Sequence, residues 1–296
     1  MKRVQDIHQR DVPRYGGAFL IIVFFVAMLA WYFLSARDNR LLLLAFMSFI
    51  ILIFGLADDK YDLSVLLQLL FQIFVASLLV LFGISITRIT NPFGGSFSLG
   101  MFSGLITILW VIAIMNVINW IDGIDGLSLS IGIISCGTLL TLSLLPKVNQ
   151  PFSAILAGII LVLLLVLFPF VFPPAKIFLG TSGSMFLGFI IAVIAIISGG
   201  KIATAFLVLG IPILDAARVI ISRVRAHKSI FKADKSHLHH RLLELGYSQR
   251  SIVLLLSLFT AILGTFAVLA QSIGKFLLII SLPLTFFVIL IYFSVV

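Results

Sequence analysis

Apolar residues in this chain neither alternate nor keep to one helical stripe. They come in continuous runs of about 20 residues, the length that crosses a bilayer as a helix. Ten runs are legible: Gly17–Leu34, Leu41–Ala57, Leu63–Ile86, Leu99–Val117, Leu127–Leu145, Ser153–Phe172, Ser184–Ser198, Ile202–Ile221, Ile252–Ala270 and Phe276–Val296. A transmembrane β-barrel would instead show segments of roughly ten residues with alternating hydrophobicity. The pattern predicts an all-α, polytopic helical membrane protein with about ten transmembrane helices, forming one domain over residues 1–296. The seventh run is short, and only Gly199-Gly200-Lys201 parts it from the eighth.

Composition agrees. The chain is 61% hydrophobic and 10% charged, with a mean hydropathy of +1.26. A soluble domain is about half apolar and a quarter charged. The first run follows a basic start, as a signal peptide would. Its length, and the poor cleavage site in "LSARDNR", favour a retained span. The single cysteine, Cys136, lies inside a run, which excludes an internal disulfide and a cysteine-based metal site. The net charge of +9 is read as loop charge that sets membrane orientation, with no nucleic acid as partner.

Ten spans put both termini on one side. That side carries Lys2, Arg3, Arg10, Arg14, Lys60, Lys176 and the basic residues from Arg218 to Arg250, which makes it the cytoplasmic side. The acids are more telling, because they do not follow that rule. Of the 11 Asp and Glu, only Asp38 falls on the other side, and all five histidines share the basic one. One polar site at the cytoplasmic surface accounts for this. It would draw on loops near 1–16, 58–62, 118–126, 173–183 and 222–250. The opposite loops ("ARDNR", "TRITNPFGGSFS", "PKVNQP") read as plain connectors.

Four clusters could build that site. Asp58-Asp59-Lys60-Tyr61-Asp62 sets two adjacent carboxylates at the apolar boundary, where their repulsion calls for a cation or a proton. Its plain reading is a charged turn that ends a span. In "NVINWIDGIDGL" the polar residues Asn116, Asn119, Asp122 and Asp125 recur every third position. Neighbours three apart share a helix face, yet over nine residues a straight helix would carry Asn116 and Asp125 to opposite sides. The Asp-Gly repeats at 122–123 and 125–126 therefore predict a helix break. Oxygen donors converging at a broken end suit Mg²⁺ or Mn²⁺; the plain alternative is a glycine turn with capping aspartates.

"KIFLGTSGSMFLG" opens a helix at Gly180-Thr181-Ser182-Gly183-Ser184. Its first N–H groups could hold phosphate, but an N-cap with small residues for packing is the better reading. In the stretch Ser222–Arg250, helical spacing puts His237, His240 and Arg241 on one face and turns His239 elsewhere. Such a face suits phosphate or uracil. A zinc site would lack a clear fourth ligand, and a basic helix on anionic lipid explains the Lys and Arg better than the clustered His. Asp215, near the cytoplasmic end of the eighth run, needs a partner or a task; Arg218, one turn on, could supply the partner.

Together "HQRDVPRYGG", "DDKYDLS", "NVINWIDGIDGL", "FLGTSGSMFLGF" and "FKADKSHLHHRLLELG" resemble, in order and spacing over nearly the whole chain, the polyprenyl-phosphate N-acetylhexosamine-1-phosphate transferases. The "HLHHRLL" form resembles the GlcNAc-1-phosphate branch more than the phospho-MurNAc-pentapeptide branch. The resemblance implies a multi-pass enzyme of the bacterial inner membrane. It would transfer a sugar 1-phosphate from a UDP-N-acetylhexosamine to undecaprenyl phosphate, release UMP and require Mg²⁺ or Mn²⁺, in the first membrane step of cell-envelope glycan synthesis. It also implies residue roles. Asp58 and Asp59 would orient or deprotonate the lipid phosphate. Asp122 would bind the metal, with Asn119 and Asp125 in support, and His237, His239 and His240 would bind the donor's phosphates. Single and double displacement both remain open, as do a monomer and a homodimer.

The chain departs from the family pattern twice. Family members usually open with another apolar helix before the Pro-x-x-Gly-Gly loop, whereas here Met1 stands about a dozen residues from it. The loop before the seventh span usually reads Gly-Asp, and here it reads Gly180-Thr181. The aspartate is a proposed metal ligand, so Thr181 implies weakened turnover. A poorly active member that still binds substrate is therefore one alternative; a transporter, with its intramembrane carboxylates and broken helices, is another.

Overall fold

The computed structural model describes residues 12–91, 93–199, 201–227, 229, 236–270 and 272–295. Among the described residues each of the ten apolar runs is largely helical. They form α1 (Gly16–Trp31), α2 (Asn39–Tyr61), α3 (Val65–Leu81), α4 (Ser103–Ile121), α5 (Leu127–Leu144), α6 (Pro151–Val171), α7 (Gly180–Ile197), the pair α8 (Ile202–Val208) and α9 (Gly210–Arg225), α11 (Gln249–Leu269) and α12 (Ser272–Val295). A short α10 (Leu238–Glu244) precedes α11. Among the described residues, seven helices are long and apolar enough to cross a membrane, or eight with the bent pair.

Two runs differ from expectation. The eighth is not one span: α8 and α9 meet at a bend of 77°. Pro212 supplies no N–H to the carbonyl four residues earlier, and Gly210 beside it favours the break. The third run is helical only to Leu81. The connector after it is a β-hairpin, β1 (Arg88–Thr90) against β2 (Ser96–Ser98), with Ile89 opposite Phe97.

α7 is the axis of the bundle. Every residue from Thr181 to Ile196 is buried, with α1, α2, α4, α5 and α6 packed around it. Between membrane helices, close packing takes over much of the role that hydrophobicity plays in water, and small residues permit it. A Cβ on Gly17 would lie 2.2 Å from the Gly183 nitrogen, one on Gly55 2.3 Å from the Ser182 Cα, and one on Gly188 2.6 Å from the Met115 Cα. At the end of α7 away from the acids, the hydroxyls of Ser143, Ser153 and Ser198 bond one another across α5, α6 and α7, with Ser153 and Ser198 2.5 Å apart. Large apolar side chains such as Phe19, Phe46, Phe49, Leu165 and Leu254 point outward, as a lipid-facing surface requires.

Candidate functional site

The polar clusters meet where α2, α4 and α6 end and α5 and α7 begin. The stretch before α1 is laid against the stretch before α7. Phe178 donates its N–H to the Pro13 carbonyl at 2.9 Å, and Gly16 and Gly17 donate to the carbonyls of Phe178 and Leu179 at 3.0 and 2.8 Å. The bare glycines make this approach feasible, and it carries Arg14 into the wall of a cavity of about 740 Å³.

Asp58 and Asp59 end α2 and turn apart. Asp58 is fully buried and accepts from the Gln68 amide at 2.8 Å. Asp59 reaches the first turn of α7, where it accepts from the backbone N–H of Thr181 at 2.9 Å and of Ser182 at 3.4 Å, and from the Ser182 hydroxyl at 3.3 Å. The N–H groups that could have held a phosphate are thus capped by a carboxylate. The small residues of "GTSGS" serve packing against Gly17 and Gly55.

"NVINWIDGIDGL" breaks as the Asp-Gly repeats predict. α4 stops at Ile121, Asp122 is its C-cap, and α5 starts after Gly126, whose φ of 72° suits glycine. Asn116 exchanges hydrogen bonds with Gln72 of α3, donating at 2.6 Å and accepting at 3.4 Å. Asn119 accepts from the Ser184 hydroxyl of α7 at 2.8 Å. Asp125 is buried and accepts from the Ala175 N–H at 2.9 Å. Asp122 accepts from the Ser128 hydroxyl. Burial pushes its carboxyl up to about 7; Ser128 works against this, Asp59 and Asp125 add to it, and Arg14 opposes. A carboxyl held in that state beside two others gains from a cation.

The histidines divide. His237 precedes α10 in extended backbone, so helical-face arithmetic does not apply to it. It lines the cavity with His240. His239 lies beneath, its ring parallel to that of His237 with centroids 5.8 Å apart. Its Nε2 is buried with no hydrogen-bond partner among the described residues, and a Cβ on Gly123 would stand 2.4 Å from it. Burial first, then the charges of His240 and His237, push its imidazole down to about 3. Arg241 is exposed and not on the cavity wall. Residues 231–235 of the histidine motif, and residues 1–11, lie outside the described residues.

Asp59, Asp122, Asp125, Asn116, Asn119, Thr181, His237 and His240 line one cavity; Asp58, His239 and Arg241 do not. Gln68 and Trp120 also line it, and sequence reasoning missed them. Gln68 and Gln72 had left a signal, two amides four apart in an otherwise apolar run. Trp120 carries no comparable signal, since one indole within the motif does not set it apart. Among the described residues no three His, Cys, Asp or Glu side chains come together as a self-sufficient metal site. Mg²⁺ commonly takes one or two carboxylates and completes its shell with substrate phosphate and water. Asp122, with Asp59 and Asp125 nearby, fits that mode.

The model of glycosyl transferase family 4 matches residues 41–199. Three relatives extend the similarity. A Bacillus subtilis protein named "Probable undecaprenyl-phosphate N-acetylglucosaminyl 1-phosphate transferase" is 31% identical over 277 residues, 90% of this chain and 76% of its own length. The undecaprenyl-phosphate alpha-N-acetylglucosaminyl 1-phosphate transferase of Haemophilus influenzae is 32% identical over 89% of this chain and 77% of its own length. The decaprenyl-phosphate N-acetylglucosaminephosphotransferase of Mycobacterium leprae is 31% identical over 88% and 74%.

Proposed function

Since the chain belongs to glycosyl transferase family 4, we propose that it transfers N-acetylglucosamine 1-phosphate from UDP-N-acetylglucosamine to undecaprenyl phosphate at the cytoplasmic face of a bacterial inner membrane. The observation that carries this reading is the composition of the cavity wall. Carboxylates, amides, Arg14 and two histidines face the same space as Val65, Leu69, Ile112, Ile213 and Ile220. A polar chamber with an apolar flank suits a lipid that ends in phosphate. The relatives' names support the acceptor and the transferred group.

A phosphate oxygen of the lipid attacks the β-phosphorus of the donor. The bond from that phosphorus to the bridging oxygen breaks, UMP leaves with the oxygen, and a lipid-linked diphosphate sugar remains. Both substrates are anionic, so charge compensation and positioning dominate, as in other phosphoryl transfers. Asp122, helped by Asp59 and Asp125, would hold Mg²⁺, or Mn²⁺ in its place. When bound, the ion offsets phosphate charge as the two anions approach. His237, His240 and Arg14 supply donors to phosphate oxygens, and Asn116 and Asn119 present amides to the sugar or the nucleotide. The lipid phosphate is largely dianionic near neutral pH, its second pKa being about 6. A general base therefore contributes little beyond orientation.

The test is incorporation of radiolabelled sugar from UDP-N-acetylglucosamine into extractable lipid by the purified chain, with undecaprenyl phosphate and Mg²⁺. Asp122→Asn should abolish it. No labelled lipid from any UDP-N-acetylhexosamine would contradict the proposal.

A further inference from the structure

Asp215 stands outside the machinery described so far. It is buried on α9 and does not line the cavity. A carboxylate so placed is retained only with full hydrogen bonding, and it has that. His237 Nδ1 lies 2.8 Å from Oδ2, within hydrogen-bond reach. The Leu238 N–H lies 3.1 Å from both oxygens. Arg218 donates from Nη2 and Nε to Oδ1 at 2.8 and 3.2 Å, and Arg218 also bonds the Ser236 carbonyl. One carboxylate thus fixes both the start of α10 and the ring of His237.

Among the described residues, the aromatic rings beside it are Trp120 of α4, with centroids 6.0 Å apart, and His239. Neither binds Nδ1. An ionised carboxylate only accepts, so Nδ1 carries the hydrogen. Nε2, on the opposite side of the ring, is the nitrogen left for the cavity. A carboxylate behind a metal-binding histidine selects the tautomer and the ring orientation in the same way.

We propose that Asp215 is a positioning residue for the donor. It holds His237 in the Nδ1–H form, aims Nε2 into the cavity and supplies the countercharge when the imidazolium donates to a phosphate oxygen. This rests on the reading that the cavity takes a UDP-sugar. Arg218 is then the residue that keeps the carboxylate in place, not the reason for it.

Two measurements on the full-length protein decide it. The first needs no substrate: nitrogen NMR of histidine-labelled protein, with His237 assigned by the loss of its signals in His237→Gln. A protonated Nδ1 is expected; a neutral Nε2–H tautomer overturns the proposal. The second is kinetic. Asp215→Asn keeps an oxygen for the Leu238 N–H, so melting should hold while the KM for UDP-N-acetylglucosamine rises about tenfold, as loss of one charge-assisted hydrogen bond implies, and kcat changes far less. In the His237→Gln background the same substitution should add nothing. An unchanged KM, or an equal loss in both backgrounds, marks Asp215 as a helix cap only. If Asp215→Asn does not fold, the tautomer decides alone. If the wild-type chain shows no transfer with any UDP-sugar, the functional reading fails, and the tautomer still tests the geometry.

Discussion

The Asp59 carboxylate accepts the Thr181 backbone N–H at 2.9 Å, joining the last turn of α2 to the first turn of α7. The acid beside Asp58, to which the family resemblance assigns lipid-phosphate handling, caps the helix on which the bundle is built. Removing such a cap costs about 1 kcal/mol. Asp59→Ala should lower the melting temperature as well as activity, and Ser182→Ala should give a smaller version of the thermal effect alone. Unaltered melting in Asp59→Ala would mean that the cap carries no weight.

Thr181 lines the cavity beside Asp59. A carboxylate there would join Asp59 and Asp122 around the place where a divalent ion would sit. Thr181→Asp is expected to lower the Mg²⁺ concentration for half-maximal transfer several-fold. A half-saturation point that does not move would place position 181 outside the ion's reach.

Gly123 has no room for a methyl group, because its Cβ would fall 2.4 Å from the His239 Nε2. Overpacking of this kind costs about 1–3 kcal/mol. Gly123→Ala should reduce both stability and transfer, and adding His239→Ala should restore much of the stability. Failure of the second substitution to rescue the first would show that the glycine is needed for its backbone.

His239 also fixes a pH dependence. Its imidazole ordinarily titrates at 6.5 and burial takes it to about 3. Between those values the unfolded chain binds a proton that the folded chain does not, so stability falls as pH drops from 6.5 toward 3. The slope is about 1.4 kcal/mol per pH unit from this group. Thermal melts at pH 7 and pH 5 should show the loss, and His239→Asn should remove this group's share of it. An unchanged slope in that variant would contradict the burial.

Trp120 faces the cavity beside His237. Trp31 stacks on Phe152, and Trp110 donates its indole N–H to the Ala192 carbonyl at 3.3 Å. With Trp31 and Trp110 replaced by Phe, UDP-N-acetylglucosamine should change the remaining emission in a saturable way. No change at concentrations that support transfer would remove Trp120 from the binding wall.

The spans and the break in "NVINWIDGIDGL" were legible because both rest on local signals: run length, and the Asp-Gly repeats. The bend at Gly210–Pro212 was equally local, and the apolar run around it hid it. Other features depend on distant partners. No pattern in "DDKYD" tells that Asp58 turns to Gln68 while Asp59 turns to α7. Helical arithmetic grouped Arg241 with His237, and it failed because His237 sits before the helix in extended backbone. It also could not reveal that Asp215 reaches a histidine 22 residues further on. These contacts are set by how the helices pack, which the order of residues along one helix does not contain.

In the proposed reaction phosphorus moves with the sugar. The direct measurement uses UDP-N-acetylglucosamine carrying radioactive phosphorus at the β position, with undecaprenyl phosphate, Mg²⁺ and the purified chain. Label should appear in the lipid product, with one UMP released for each lipid formed. Release of UDP, with the label left in the aqueous phase, would contradict it.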